Sequence, residues 1–167
     1  ATTLARKGYI NILIGRSMDG LEQTAAACKS HADVKIVTAD VTSDLAQVAQ
    51  QIRELTSHVS FLWLGTAGFS EDPISQLPAN TIREFIRSGF ESLVELVHLL
   101  YPQLSEGRAH IIGACSDWSD FHTGGPSVFG STKVALAGFL DKLRTEARAD
   151  NIQVTALKMG NVGNLEG

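Results

Sequence analysis

A chain of 167 residues is long enough for one domain with a sizeable core. Its net charge of −4 and pI of about 5.7 leave no basic surplus for a phosphate backbone, which argues against nucleic acid as a main partner. No apolar run approaches the ~20 residues of a membrane span, no signal-peptide pattern is visible, and Cys28 and Cys115 lie in apolar stretches without metal-ligand spacing, so the expectation is a cytoplasmic protein with reduced thiols, no metal and no membrane contact.

In chain order, "ATTLARKGY" reads as the last turns of a helix, with Arg6 and Lys7 near its C-terminus and Gly8 beyond it. "YINILIG" is a buried strand over residues 9–15. "SMDGLEQTAAACKSH" is a helix with Ser17 as N-cap and Leu21, Ala25 and Cys28 on one face. The strand "VKIVTAD" follows, then a helix over 43–55 capped by Ser43, with Leu45, Val48, Ile52 and Leu55 at helical spacing. "VSFLWLG" is a third strand, and residues 65–79 form a loop. A long helix spans about 80–101, broken near Gly89. "AHIIGAC" is a strand, 117–126 a second loop, 127–149 a helix and "IQVTALK" a last strand.

Five apolar strands separated by helices predict a doubly wound parallel sheet with helices on both faces and right-handed crossovers, as one domain over 1–167. Ligands of such sheets bind beyond the carboxyl ends of the strands. That directs attention to "GRS" (15–17), "ADVTS" (39–43), "GTAGF" (65–69), "ACSDW" (114–118) and "MGNVGN" (159–164).

These segments carry a resemblance. Ser116 lies thirteen residues before Phe129, and Lys133 four after it. Asp40-Val41 follows the second strand of this chain, Thr66-Ala67-Gly68 follows the third, Pro102 stands near the end of the long helix, and Met159-Gly160 follows the last strand. In this order the chain resembles the short-chain dehydrogenase/reductase family, whose Rossmann-like domain carries a Ser, Tyr and Lys at that spacing. The resemblance implies an oxidoreductase acting on a small carbonyl or alcohol with a nicotinamide nucleotide. It makes Ser116, Lys133 and Phe129 (in the place of the family Tyr) the catalytic positions. It makes Arg16, Ser17, Asp40, Val41, Ala67, Gly68, Lys133 and Gly160 the cofactor-binding ones.

Departures from the family pattern carry chemistry. The Tyr is Phe129, the Asn expected thirteen residues before Pro102 is Gly89, Gly65 and Thr66 replace two Asn, Met159 replaces a Pro, and Asn164 a Thr. Reduction of a carbonyl needs a proton for the oxygen that gains charge, and a phenol beside an ammonium supplies it. A phenyl ring has no proton to give. Ser116 retains a hydroxyl to polarise a carbonyl, and Lys133 retains three donors for ribose hydroxyls. His122, in the loop before the helix, is the best local candidate to replace the missing acid, but a satisfied loop histidine is the favoured reading of it. Arg16, with Ser17 beside it and no carboxylate, favours the 2′-phosphate of NADP, with NAD as the alternative. Each residue also has a plainer role open to it: Lys133 a solvated helix lysine, Ser116 a turn residue, Asp40 an Asx-turn, Arg16 a surface cation, Trp118 and Phe121 loop packing rather than pocket walls.

Two functions stay open: a weak or inactive oxidoreductase, and a noncatalytic nucleotide-binding or partner-binding scaffold. The family's first strand, glycine-rich loop and last strand have no counterpart in the chain, so the resemblance implies a longer domain and a segment that does not fold alone. It also implies a homodimer or homotetramer on the helices at 80–101 and 127–149, through Phe90, Leu93, Val97, Val134, Leu136, Leu140 and Leu143.

Overall fold

The computed structural model of the chain describes residues 1–119 and 125–160. They form two compact units, Ala1–Leu55 and the residues from Thr56 on.

In the first unit, α1 (Thr2–Arg6) ends where expected, with Gly8 in a left-handed conformation at φ +83° that side chains disfavour. Strand β1 (Asn11–Gly15) pairs in parallel with β2 (Val34–Thr38), from Asn11 opposite Val34 to Gly15 opposite Thr38. Between them runs α2 (Met18–Lys29), and Ser17 caps it as expected by accepting the Gly20 N–H at 3.2 Å. The stripe on α3 (Leu45–Leu55) buries Leu45, Val48, Ala49 and Ile52. Its cap differs from expectation. The first turn closes from the Val48 N–H onto the Asp44 carbonyl, and the Ser43 hydroxyl turns back to the Asp40 carbonyl. Asp40 has already bent the chain three residues before, so Ser43 lies inside a turn rather than at the helix start.

In the second unit, β3 (Phe61–Leu64), β4 (His110–Ser116) and β5 (Gln153–Met159) form a parallel sheet in that order. Phe61 lies opposite His110, and Ser116 opposite Met159. The helix α6 (Ser127–Glu146) packs on β4 and β5 and brings Leu140 over Gly113. The core includes Leu64, Leu96, Val97, Leu100, Leu104, Ile111, Leu136, Leu140, Leu143 and Val154. At about 25 cal/mol per Å² of apolar surface, these side chains are the main source of the unit's stability.

The long helix departs from its predicted form twice. It does not break at Gly89. It runs as α4 (Ala79–Ile86), one π-helical turn over Arg87–Glu91, and α5 (Ser92–Glu106). Nor does it stop at Pro102. The last turn continues to Glu106 because Gln103 and Leu104 are buried, and that burial outweighs the N–H that proline lacks. A turn of 3-10 helix extends α6 over Ala147–Asp150, and Asn151 ends it in the left-handed region at φ 58°. The α/β class with parallel strands stands as read from the sequence.

Candidate functional site

Strand β4 delivers Ser116 to the carboxyl end of the sheet, where the chain tightens into a 3-10 turn over Asp117–Ser119. The turn needs acceptors for its first N–H groups, and Ser116 and Asp117 supply them. The Trp118 N–H donates to Ser116 Oγ at 3.2 Å and to Asp117 Oδ1 at 2.9 Å, and the Ser116 hydroxyl donates to Asp117 Oδ1 at 3.0 Å. The Ser119 hydroxyl returns to the Ser116 carbonyl. Ser116 therefore organises a turn, while one lone pair of its oxygen stays available to a further donor. Gly160, just past β5, lies so close that a Cβ there would sit 3.7 Å from Asp117 Oδ2.

Lys133 is not a solvated helix lysine. It is only 5% exposed, and its Nζ donates to the Ala114 carbonyl of β4 at 2.8 Å. The same ammonium sits 5.5 Å from the centre of the Phe129 ring, because residues four apart share a helix face. Burial pulls the lysine below its ordinary pKa, against a smaller opposing pull from the neighbouring Cys115. Burial likewise pushes the Cys115 thiol up, and Lys133 and Lys158 counter it. A buried thiol held protonated is inert, as expected for this cysteine.

Phe129 is the centre of an aromatic cluster. Phe69 meets it edge-on at 5.1 Å and Trp118 at 5.8 Å, and Phe69 and Trp118 lie nearly parallel at 6.1 Å. Such contacts contribute beyond burial alone. Trp118 also walls a shallow recess of about 490 Å³, lined by Glu71, Asp72, Pro73, Gly125, Pro126 and Ser127. Trp118 thus combines the two roles open to it, packing on Phe69 and Phe129 and bordering the recess. Phe121 and His122, the other residues considered there, lie outside the described residues, as does Asn164.

The turn at 66–68 hangs on the π-helical segment. Thr66 Oγ1 donates to the Ser88 carbonyl at 3.0 Å, and the Gly68 N–H donates to Ser88 Oγ at 3.0 Å. Ala67 between them is exposed. Gly68 faces Phe85 so closely that any side chain there would overlap the ring. Gly89 is buried against α6: a Cβ on it would meet Thr132 Oγ1 at 2.8 Å. The position where the resemblance expects an Asn side chain is thus filled from the opposite helix.

The candidates of the first unit lie on its surface. Arg16 is exposed, and its guanidinium approaches Asp40 at 3.9 Å, too far for a directed bond. Asp40 accepts the Thr42 N–H at 2.8 Å and the Thr42 hydroxyl at 2.7 Å, which is the Asx-turn considered for it. Those two bonds, with a smaller pull from Arg16, hold its carboxyl below the usual carboxylate range. Ser17 is occupied as the cap of α2, and Val41 lies part-exposed in the turn that Asp40 starts.

The structure thus gathers Phe129, Lys133 and the turn next to Phe69 in the second unit, and Arg16 and Asp40 in the first. Sequence reasoning missed Phe69, Ser88, Asp117 and Thr132. Among the described residues no group of three or more His, Cys, Asp or Glu is placed to hold a metal, and no helix is long and apolar enough to cross a membrane.

Comparison with known proteins bears on the family and the fold. An uncharacterised oxidoreductase of Schizosaccharomyces pombe is 24% identical over 164 residues, covering 94% of this chain and 65% of that protein. A dehydrogenase/reductase SDR family protein 7-like protein of Dictyostelium discoideum is 26% identical over 170 residues, covering 96% of this chain and 53% of that one. The chain therefore spans between half and two thirds of the length of these relatives. An alcohol dehydrogenase of Thermococcus sibiricus, solved with 5-hydroxy-NADP, superposes with a TM-score of 0.88 at 19% identity, covering 96% of this chain and 69% of that one, and carries the Rossmann-type fold. The short chain dehydrogenase family model matches residues 1–164. With its parallel α/β strands and its Ser116, Phe129 and Lys133 at the family spacing, the chain belongs to the short chain dehydrogenase family.

Proposed function

We propose that the protein binds a nicotinamide nucleotide and turns over a small carbonyl or alcohol weakly, because its proton donor is missing. The observation that carries this reading is Lys133 buried beneath a ring that has no hydroxyl. The donor chemistry fits such a nucleotide. One of the lysine's three donors is spent on Ala114, which leaves two for ribose hydroxyls. Arg16 keeps an exposed guanidinium suited to a 2′-phosphate, which favours NADP over NAD. Asp40 and Val41 would face the adenine, and Ala67, Gly68 and Gly160 would let the backbone come close. Bound nicotinamide supplies or accepts the hydride. Ser116 would polarise the substrate oxygen by turning its O–H from Asp117 Oδ1 toward that oxygen.

A noncatalytic binding scaffold is the second reading, favoured by the Ser116 hydroxyl and the Lys133 ammonium both being engaged within the fold. Self-association belongs to the proposal as well. Of the seven apolar residues expected to serve it, Leu93, Val97, Leu136, Leu140 and Leu143 are core residues of the second unit, because their helix faces lie inward. Phe90 and Val134 keep part of their surface exposed, and they are the ones left to contribute to a homodimer or homotetramer.

Calorimetric titration of the full-length protein with NADPH and NADH, followed by a carbonyl panel, tests the reading. Binding is expected, tighter for NADPH and weakened by Lys133→Ala. Phe129→Tyr is expected to raise carbonyl reduction at least about tenfold, the lower part of what a general acid contributes. Absence of nucleotide binding overturns the proposal. A folded, nucleotide-binding Phe129→Tyr protein that gains no rate leaves the scaffold.

A further inference from the structure

The π-helical turn at Arg87–Glu91 has a specific consequence for one carbonyl. The Ser92 N–H reaches back five residues to Arg87, so it does not close the ordinary bond to Ser88. The Thr66 hydroxyl donates to that Ser88 carbonyl, and the Ser88 hydroxyl accepts the Gly68 N–H. One residue thus holds the turn Thr66–Gly68 at both ends, once through its backbone and once through its side chain. The π turn itself is pinned by Arg87, which pairs with Glu91 at 2.7 Å and Glu95 at 3.2 Å. Gly89, the residue after Ser88, is pressed against Thr132, the neighbour of Lys133 in sequence. A shift in the π turn would be felt both at 66–68 and beside Lys133.

We propose that Ser88 is a positioning residue, which fixes the turn Thr66–Gly68 in the conformation that receives the nucleotide. The proposal rests on the nucleotide-binding reading above. Ser88 itself touches no ligand. A turn released from its anchor has to be ordered again on binding, and that ordering is subtracted from affinity. Serine suits the position because its hydroxyl accepts a backbone N–H at short reach. Alanine leaves the Gly68 N–H without that acceptor while the Thr66 bond to the backbone survives.

The test compares full-length wild type, Ser88→Ala and Ser88→Thr by calorimetric titration with NADPH, thermal melting, and hydrogen exchange at the Gly68 amide. Ser88→Ala is expected to weaken binding about fivefold, the size of one modest hydrogen bond. It should speed exchange at Gly68 and leave the melting temperature nearly unchanged, and Ser88→Thr should restore both readouts. Equal affinity in Ser88→Ala and wild type overturns the proposal. So does a loss that tracks the melting temperature and is not rescued by threonine. If wild type binds no NADPH, the nucleotide reading fails, the positioning role falls with it, and exchange at Gly68 shows whether the anchor exists at all.

Discussion

Lys133 and Arg16 are both cations that the family resemblance points to for nucleotide binding, one in each unit and in opposite physical circumstances. Lys133 is 5% exposed, bonded to a strand carbonyl, and lies 5.5 Å from an aromatic centre. The Arg16 side chain is 73% exposed and only loosely approached by one carboxylate. A surface cation can be removed with little effect on the fold, so a loss of binding on its removal reads directly as a contact. Around the buried one, residues such as Gly89, Thr132 and Ala114 share the same space. A change there moves packing as well as chemistry, and needs a second measurement to separate the two.

The contrast breaks most visibly where the second unit is tightest. Gly89→Asn, which restores the family's residue, is expected to destabilise the protein by about 1–3 kcal/mol, since its Cβ would press on Thr132 within the buried interface. Adding Thr132→Ala should recover much of that loss. Denaturant midpoints of the single and double variants decide it, and a harmless single variant would mean that the region yields more than its geometry indicates.

A bond at the edge of the same unit sharpens the contrast through pH. The Tyr101 hydroxyl donates to Asp150 Oδ2 at 2.7 Å, and this bond, with burial second, pushes the phenol up to about 12 from 10.0. The folded state holds the proton more tightly than the unfolded one, so the contribution is complete below pH 10 and fades as pH rises through about 12. Tyr101→Phe should therefore cost about 1–2 kcal/mol near neutrality. The gap between variant and wild type should close in melts taken toward pH 12.

A smaller effect, of opposite sign, belongs to Ser92. Its hydroxyl is buried and, among the described residues, has no hydrogen-bond partner. Ser92→Ala should raise stability by about 1 kcal/mol, in the same denaturant measurement. The smallest effect is expected at the exposed pole. Arg16→Ala should shift stability by less than about 0.5 kcal/mol while flattening the salt dependence of NADPH affinity. A large loss of stability there would erase the contrast.

Periodicity made the strands and the inward faces of α3, α5 and α6 legible, because burial of apolar residues at fixed spacing is what forms them. The family resemblance, carried by motif order and spacing, is what related Ser116, Phe129 and Lys133. What it left out is tertiary in origin. A proline and a glycine in a helix read as stops, yet burial of Leu104 carries the chain past Pro102, and at Gly89, packed closely on Thr132, the chain runs through a π turn in place of the expected break. Ser88 belongs to no motif, since its role depends on a carbonyl that only the π geometry frees. Phe69 could not be paired with Phe129 from a distance of sixty residues along the chain. The Asp40 turn was one of two readings open at that position, and its hydrogen bonds to Thr42 favour it structurally.

The two tryptophans divide the second unit optically. Trp63 projects from β3 with 48% of its surface in solvent, so its emission is expected to be red-shifted and open to a soluble quencher such as acrylamide. Trp118 is half-buried against Phe69 and Phe129 on the wall of the recess, which shields it. With Trp63 changed to phenylalanine, the remaining emission comes from a single indole that touches the ring standing in for the missing phenol. The protein thus carries its own optical reporter at the place where its sequence departs from the family pattern.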